Sequence, residues 1–171
     1  MSRILAAIAV CALSSPAHAV DVCRGFDISR GDPHRGPSLV ISNGLSSVSQ
    51  IDGAPVLRVP FYEVGATSQP VAAGTEVDWH LADGSVVTTY SRDSAPPASI
   101  SYGGDGAPVG VNTRWLLAFV LTDDAVHALA RSPAERFRYT LISTPVDATS
   151  RRANSVGWQR LMACYAMQTA E

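Results

Sequence analysis

Apolar and polar residues alternate with a period of two along much of this chain, a pattern that predicts β-strands with one buried face. The clearest example is the segment 75–90, where apolar residues on one side alternate with Asp78 and His80 on the other. Asp83 and Gly84 in its middle provide a two-residue turn that tolerates positive φ. The segment therefore predicts a β-hairpin.

Four further strands are predicted, at residues 38–42, 56–64, 99–102 and 136–143. Pro60 lies inside the second of them, and because proline cannot donate to a ladder, we expect that strand at the edge of a sheet. Residues 114–121 are almost continuously apolar, which is typical of a central strand covered on both faces. The segments 24–37 and 91–110 are rich in glycine and proline, which predicts irregular structure outside the short strand at 99–102.

Two helices complete the pattern. The first begins at Thr122 or Asp123, with acidic residues in its first turn and Arg131 in its last, an order that suits the helix dipole. The second begins at Asn154 or Ser155, and its apolar face has helical spacing: Trp158, Leu161, Met162 and Tyr165. Together these elements predict a mostly β domain, an antiparallel β-sandwich or barrel-like sheet with two short helices, one of them C-terminal.

The first 19 residues have the composition of a cleavable secretory signal peptide. Arg3 precedes an apolar run over residues 4–13, and residues 17–19 (Ala-His-Ala) form the small-x-small site that signal peptidase requires. Cleavage is predicted between Ala19 and Val20. A membrane anchor is the alternative, but the apolar run is shorter than the roughly 20 residues that span a bilayer.

The mature chain, residues 20–171, is predicted to be one exported domain with one disulfide. Of the three cysteines, Cys11 leaves with the signal peptide, whereas Cys23 and Cys164 remain near the two ends. Two thiols in an oxidising compartment most often pair. A redox-active pair is the alternative, but it usually has the spacing C-x-x-C, which is absent here. We expect a periplasmic or secreted protein without a membrane span in its mature form.

The charge balance limits the class of partner. The chain contains 13 basic residues, all of them arginine, and 15 acidic ones. Because of export and this negative balance, we expect no nucleic-acid partner. Arg136 and Arg138 share one face of a predicted strand, and Arg151 and Arg152 lie in the loop that follows. This group could bind an anion, but the solvated outer face of a sheet predicts the same residues.

No motif for catalysis or for a cofactor is present. The G-x-S-x-G nucleophile elbow, the phosphate loop and the dinucleotide fingerprint are all missing. Three histidines follow the signal peptide: His34, His80 and His127. Asp78 with His80 on a strand, and Asp123 with His127 on a helix, each place two ligands on one face, but a zinc site needs three or four. Catalytic residues stay unassigned, and we expect neither a cofactor nor a metal.

The C-terminal half, from Trp115 to Tyr165, resembles the ending of small exported bacterial proteins of the invasion-associated locus B type. The resemblance rests on an apolar strand followed by a short helix that starts at aspartate, RWLLAFVLTDDAVHALA, then a strand, and then the closing segment NSVGWQRLMACYA. It implies an envelope-resident β-sandwich without known catalytic residues, and it assigns no site.

These observations predict an exported, non-enzymatic module that binds a protein or a component of the cell envelope such as a glycan. The loop at 91–110 and the exposed faces of the sheets would make the contacts. Two alternatives remain open. One is an envelope hydrolase without a recognisable motif, using Asp78 and His80 or residues that one sequence does not reveal, and the other is an inhibitor of an exported enzyme.

Overall fold

The computed structural model describes residues 22–102, 110–140, 145–150 and 152–170. The strands in these ranges are β1 (Asp27–Arg30), β2 (Leu39–Ser42), β3 (Ser47–Ile51), β4 (Ala54–Val64), β5 (Glu76–Leu81), β6 (Val86–Tyr90), β7 (Ala98–Tyr102), β8 (Gly110–Val120), β9 (Ala134–Thr140) and β10 (Pro145–Thr149). The helices are α1 (Asp123–Arg131) and α2 (Arg152–Thr169).

The strands form two antiparallel sheets. The first has six strands in the order β1-β2-β3-β4-β8-β7, and the second has four in the order β10-β9-β5-β6. Neither sheet closes on itself in the described part of the chain. The predicted mostly β fold with two short helices is therefore confirmed, and it is an open sandwich rather than a barrel.

The predicted hairpin is formed by β5 and β6, with a loop one residue longer than expected. The Leu81 N–H donates to the Ser85 carbonyl at 2.8 Å, which leaves Ala82, Asp83 and Gly84 in the loop. Of these three residues only Gly84 has a positive φ, at 86°. The loop is thus a three-residue turn with glycine in the left-handed position, not a two-residue turn.

The facing sides of the two sheets form the aromatic core. Trp79 on β5 lies beside Phe119 of β8 and Phe137 of β9, with ring centroids 5.7 and 5.1 Å away. Phe61 on β4 contacts Trp79 and Phe137 edge to face. All four rings are buried. Rings of this size remove the most apolar area from water per residue, so they dominate the stabilisation of the sandwich.

The two helices pack against each other at one end of the sandwich. The Thr122 hydroxyl accepts a hydrogen bond from the Ala125 N–H at 3.2 Å, which confirms the predicted cap of α1. α2 begins at Arg152, two residues earlier than expected. Its apolar face buries Leu161 and Met162 completely. α2 also contacts β9, β2 and β3, so it covers one end of the space between the sheets.

Cys23 and Cys164 form the predicted disulfide, with their Cα atoms 5.0 Å apart across 141 residues. Cys164 is fully buried in α2. The Arg160 guanidinium strengthens the same connection, because it donates to the Arg24 carbonyl at 2.7 Å and lies 5.5 Å from the centroid of the Phe26 ring. The N-terminal segment is therefore fixed to the C-terminal helix by a covalent bond and by polar contacts.

Two predictions about individual segments are wrong. β8 is an interior strand, but only one of its faces is covered: Trp115 and Leu117 are buried, whereas Leu116 is 52 % exposed. Its continuous apolar run reflects an outer face that is itself apolar. Within the segment 24–37, expected to be irregular, residues Asp27–Arg30 pair with β2 as an exposed edge strand.

Pro60 predicted that its strand lies at the edge of a sheet. This prediction is wrong for β4 as a whole, but it is right for the part of β4 around Pro60. β4 is an interior strand, because β3 pairs with one side of it and β8 with the other. The last pair with β3, however, joins Ser47 to Arg58. Pro60 lies beyond that pair, where its missing N–H removes no ladder bond.

Some expectations concern residues outside the described ranges. These are the signal peptide at 1–19 with its cleavage site between Ala19 and Val20, the middle of the predicted loop at 103–109, the last residues of the strand predicted at 136–143, and Arg151. No helix in the described part of the chain combines the length and the apolar character needed to cross a membrane.

Candidate functional site

The candidate site lies along β4, where two strands of unequal length pair. β4 has 11 residues and β3 has five. β8 accompanies β4 as far as the pair of Val64 with Asn112. Among the described residues, the segment Val59–Val64 therefore has a neighbouring strand on one side only. We call it the open half of β4, and we call Ala54–Arg58 the paired half.

The open half exposes unpaired backbone groups. Alternate residues of an antiparallel strand direct their backbone groups to opposite neighbours. On the β8 side, the Gly65 N–H donates to the Val111 carbonyl at 2.8 Å, and the Pro55 carbonyl accepts from the Leu121 N–H at 2.9 Å. Odd-numbered residues of β4 thus face β8. The backbone groups of three even-numbered residues point away from β8, to an edge where no described residue forms a hydrogen bond with them: Pro60, Tyr62 and Val64.

A cleft of about 580 Å³ extends along this unpaired edge. Its inner wall is formed by three aromatic rings: Phe61, Phe137 and Trp158. Leu45 and Tyr62 lie at its rim. Polar residues from the β2–β3 turn, β8, β10 and the start of α2 complete the lining, among them Asn43, Asn112, Thr149 and Asn154. The cleft thus has an aromatic inner wall and a margin that combines Leu45 and Tyr62 with polar side chains, the usual character of a binding site.

Apolar side chains around the cleft are unusually exposed. Leu45 is 67 % exposed, Tyr62 47 % and Val64 86 %. Leu116 pairs with Pro60 on the outer face of the same sheet and is 52 % exposed. Single exposed apolar residues are common, but a cluster next to a cleft is typical of a surface that contacts another molecule.

Two polar groups give the cleft further definition. The Trp158 Nε1–H donates to the Ser46 hydroxyl at 2.9 Å, which connects α2 to the β2–β3 turn. The buried Oδ1 of Asn112 accepts no hydrogen bond from any described residue. Buried acceptors without a donor are rare in folded proteins. Asn112, which lines the cleft, therefore has an amide oxygen that the described residues leave unsatisfied.

On the outer face of the sheet, the charged side chains beside the open half are positive, whereas Glu63, within the open half, lies on the other face. Arg58 and Arg114 are exposed and project from the outer face of the sheet, Arg58 two residues before Pro60 and Arg114 opposite Tyr62. Neither forms an ion pair within the described ranges. Two such guanidinium groups favour an acidic group on a molecule that binds here.

Tyr139 lies behind the open half. Its ring centroid is 5.1 Å from that of Phe61, and the side chain is 7 % exposed. Burial raises the pKa of the Tyr139 hydroxyl, and the nearby Glu63 carboxylate raises it further. The Tyr139 hydroxyl, on the inner side of the open half, therefore keeps its proton to a higher pH than an exposed tyrosine does.

The outer face of the four-stranded sheet brings together two sets of residues singled out in the sequence. Asp78 pairs with Arg138, and His80 pairs with Arg136, so all four side chains share one face. The Asp78 carboxylate accepts a hydrogen bond from the Thr88 hydroxyl at 2.6 Å. The Nε2 atom of His80 is buried and has no partner among the described residues.

The arginines of this face are already paired. Arg136 Nε lies 3.3 Å from a carboxylate oxygen of Asp147, and Arg138 lies 3.8 Å from the other oxygen. The Asp147 carboxylate thus neutralises part of the positive charge that would attract an anion to these two arginines. Arg151 lies outside the described residues, and Arg152 is described only by its backbone at the start of α2. The predicted four-arginine group is therefore seen only as the pair Arg136 and Arg138.

The other two histidines lie far from both regions in the fold. His34 is exposed in a turn, where its backbone N–H donates to Asp32 at 2.9 Å. His127 is exposed on α1 and, with Asp123, lines a second cleft of about 350 Å³ between the two helices and the β3–β4 turn. In residues 22–102, 110–140, 145–150 and 152–170, no three histidine, cysteine or acidic side chains are grouped so as to hold a metal ion.

The loop predicted at 91–110 is partly a sheet edge. Ser91 forms a bridge with Phe119, and the Arg92 N–H donates to the Ala118 carbonyl at 2.6 Å. β7 then pairs with the outer side of β8, close to the short strand expected at 99–102. The described part of this segment therefore connects the two sheets instead of projecting as a free loop.

Comparison of the chain with family models, curated proteins and solved structures finds no significant match. The site therefore rests on its own geometry. Sequence reasoning did not identify the cleft, because its lining residues belong to no motif. The one available signal was Pro60, which marked an unpaired edge without showing what surrounds it.

Proposed function

We propose that this chain is an exported, non-enzymatic β-domain that binds a protein or another component of the cell envelope through the cleft beside the open half of β4. The observation that carries the proposal is the cleft itself, with its aromatic inner wall, the exposed Leu45 and Tyr62 at its rim, and the exposed Val64 two residues farther along β4. A bound molecule that covers this surface removes apolar area from water, which stabilises the complex by about 25 cal/mol per Å² of apolar area.

Export is supported by the disulfide and by the sequence of the N-terminus. Bonds such as Cys23–Cys164 persist in oxidising compartments such as the periplasm and are rare in the cytosol. The first 19 residues have the charge, apolar run and small-x-small site of a signal peptide. The resemblance to proteins of the invasion-associated locus B type, which implies an envelope-resident β-sandwich, points in the same direction.

Site-specific photo-crosslinking in the native envelope tests this proposal. A photoreactive amino acid replaces Leu45 at the rim of the cleft or Val64 at the end of the open half, and Val86 serves as the control because it is 50 % exposed on the outer face of the other sheet. We expect one reproducible adduct from positions 45 and 64 and none from position 86. Equal labelling from all three positions, or no adduct from the cleft, would contradict the proposal.

The envelope hydrolase is the second candidate, and one observation favours it. The buried Nε2 of His80, which lacks a partner among the described residues, lies on one face with Asp78 and the two paired arginines. Purified protein would be incubated with isolated envelope polymers, and the released products compared between the native chain and His80→Ala. Product formation that this variant abolishes, with its circular dichroism unchanged, would establish the hydrolase and displace the binding module.

A further inference from the structure

We infer that the element recognised by the cleft is an extended polypeptide segment of a partner protein, which adds to the open half of β4 as an extra strand. This inference rests on the proposed function and specifies the chemistry of the partner. It follows from three properties of the open half: its backbone groups, the side chains on either side of the cleft, and the charge nearby.

The backbone of the open half matches the backbone of another strand. The N–H groups of Tyr62 and Val64, and the carbonyls of Pro60, Tyr62 and Val64, point away from β8 without described partners, and Pro60 and Tyr62 line the cleft. These groups repeat every second residue, about 6.8 Å apart along the strand. An extended peptide presents donors and acceptors at the same repeat, and strand addition is a known mode of peptide recognition. A glycan or a lipid tail has no such repeat.

Pro60 makes the edge unequal along its length. It has a carbonyl but no N–H, so a peptide residue opposite Pro60 can donate a hydrogen bond but finds no donor in return. Tyr62 and Val64 offer both groups. The paired part of the bound segment is therefore expected to centre on Tyr62 and Val64, at the end of the cleft farthest from β3.

The side chains around the cleft favour a segment with alternating character. Successive residues of a strand point to opposite faces of a sheet. Those that point inward would meet Phe61, Phe137 and Trp158, which form the inner wall. Every second residue of the bound segment should therefore be apolar. Between these, residues that point outward lie on the same face as Arg58 and Arg114, so acidic side chains are favoured there.

The surroundings of the cleft favour one peptide over the sheet edge of a second copy of this chain. The β2–β3 turn at residues 43–46 forms one wall of the cleft, and Thr149, Ser150, Asn154 and Gly157, near the end of β10 and the start of α2, form another. A single extended segment has no lateral neighbours and can lie between these walls. A strand of a second copy would bring its own sheet with it.

The decisive variant is Tyr62→Pro. It removes the N–H that faces the cleft and leaves the β4–β8 ladder intact, because even-numbered residues of β4 do not bond to β8. Pro60 shows that proline is accepted two residues earlier. Tyr62→Ala is the matched control, since it loses the ring as the proline variant does but keeps the backbone N–H. With the photoreactive group at position 45, we expect Tyr62→Pro to lower capture of the partner about tenfold relative to Tyr62→Ala.

A second measurement tests the backbone contacts directly. The mature domain would be panned against a phage-displayed library of random heptapeptides, and the most enriched peptide synthesised. Amide hydrogen exchange should then show protection of the Tyr62 and Val64 amides on peptide binding. If Tyr62→Pro fails to fold, Val64→Pro at the end of the strand replaces it, and the exchange measurement needs no variant at all.

The outcomes separate this inference from the proposed function. Capture that persists in a folded Tyr62→Pro variant, or peptide binding without protection of the two amides, overturns strand addition and leaves the binding module standing. A library that enriches no peptide, or a dimer of this chain in light scattering that buries the cleft, also overturns the inference. No capture from position 45 or 64 in the native chain removes the proposed function and the inference together.

Discussion

The two halves of β4 belong to one strand, and they have different surroundings. The paired half lies between β3 and β8 and buries Val56 and Leu57 to 1 % exposure, whereas the open half lies beside β8 alone and leaves Val64 86 % exposed. Val59 and Phe61 of the open half are nevertheless buried, because their side chains point into the core between the sheets. The difference teaches that a missing lateral neighbour opens the backbone edge and the outer face of a β-segment, while its inner face remains part of the core.

The largest effect is expected from removal of the disulfide, because it anchors the helix that forms one wall of the open half. The double variant Cys23→Ser with Cys164→Ser should lose about 4 kcal/mol of unfolding free energy, since the bond closes a loop of 141 residues. Urea unfolding followed by tryptophan fluorescence measures the loss.

A second readout of the same variant separates the two halves. Hydrogen exchange of the Trp158 indole N–H, which bonds to Ser46 beside the cleft, should accelerate more than exchange of the amides in the paired half. Equal acceleration in both regions would show that the disulfide does not hold the cleft wall in particular.

Truncation at matched positions of the two halves comes next. Leu57→Ala should cost about 3 kcal/mol, because it leaves a cavity between the sheets. Val64→Ala should stay within about 0.5 kcal/mol, because the side chain is mostly solvated already. Both variants are compared by chemical denaturation. A loss at Val64 as large as that at Leu57 would mean that the open half is covered in solution.

A smaller effect is expected from alkaline pH, and it reports on the inner side of the open half. The pKa of Tyr139 is raised by burial and then by Glu63, so the folded state binds the phenol proton more tightly than the unfolded state does. Stability is therefore fully present below pH 10 and is lost as the pH rises through the raised value. The chain has no lysine, so no lysine side chain titrates in this range.

The matched variant is Tyr139→Phe, which cannot ionise. It should move the midpoint of alkaline unfolding to higher pH. Tyr165→Phe is the comparison, because burial and Asp123 raise the pKa of Tyr165 in the helical region, away from the open half. Stability of Tyr139→Phe that falls with pH as in the native chain would assign the alkaline transition to other groups.

The elements predicted correctly are those with local causes. The β5–β6 hairpin follows from period-two alternation around Gly84, and the start of α1 follows from the hydroxyl of Thr122. The disulfide was expected from the two cysteines that remain after the predicted signal peptide. Each of these features can be read within a short window of residues or from a count, so one sequence is enough to find it.

The features that were missed depend on pairing between distant segments. β3 and β10 are short and contain polar residues, and they become strands because their neighbours offer ladder partners. The outer face of β8 was predicted to be covered, but no second layer lies over it among the described residues. The cleft exists because β3 begins only at Ser47, opposite Arg58, while β4 continues to Val64. A difference in strand length of this kind is visible only once the register is known.

The bridge between Cys23 and Cys164 also imposes an order of events on biosynthesis. Its first thiol is made 141 residues before its second, so the bond cannot close until α2 has been synthesised. A product truncated before α2 keeps a reactive thiol at Cys23. A thiol-specific label therefore distinguishes chains that stop before α2 from chains in which the pair is oxidised.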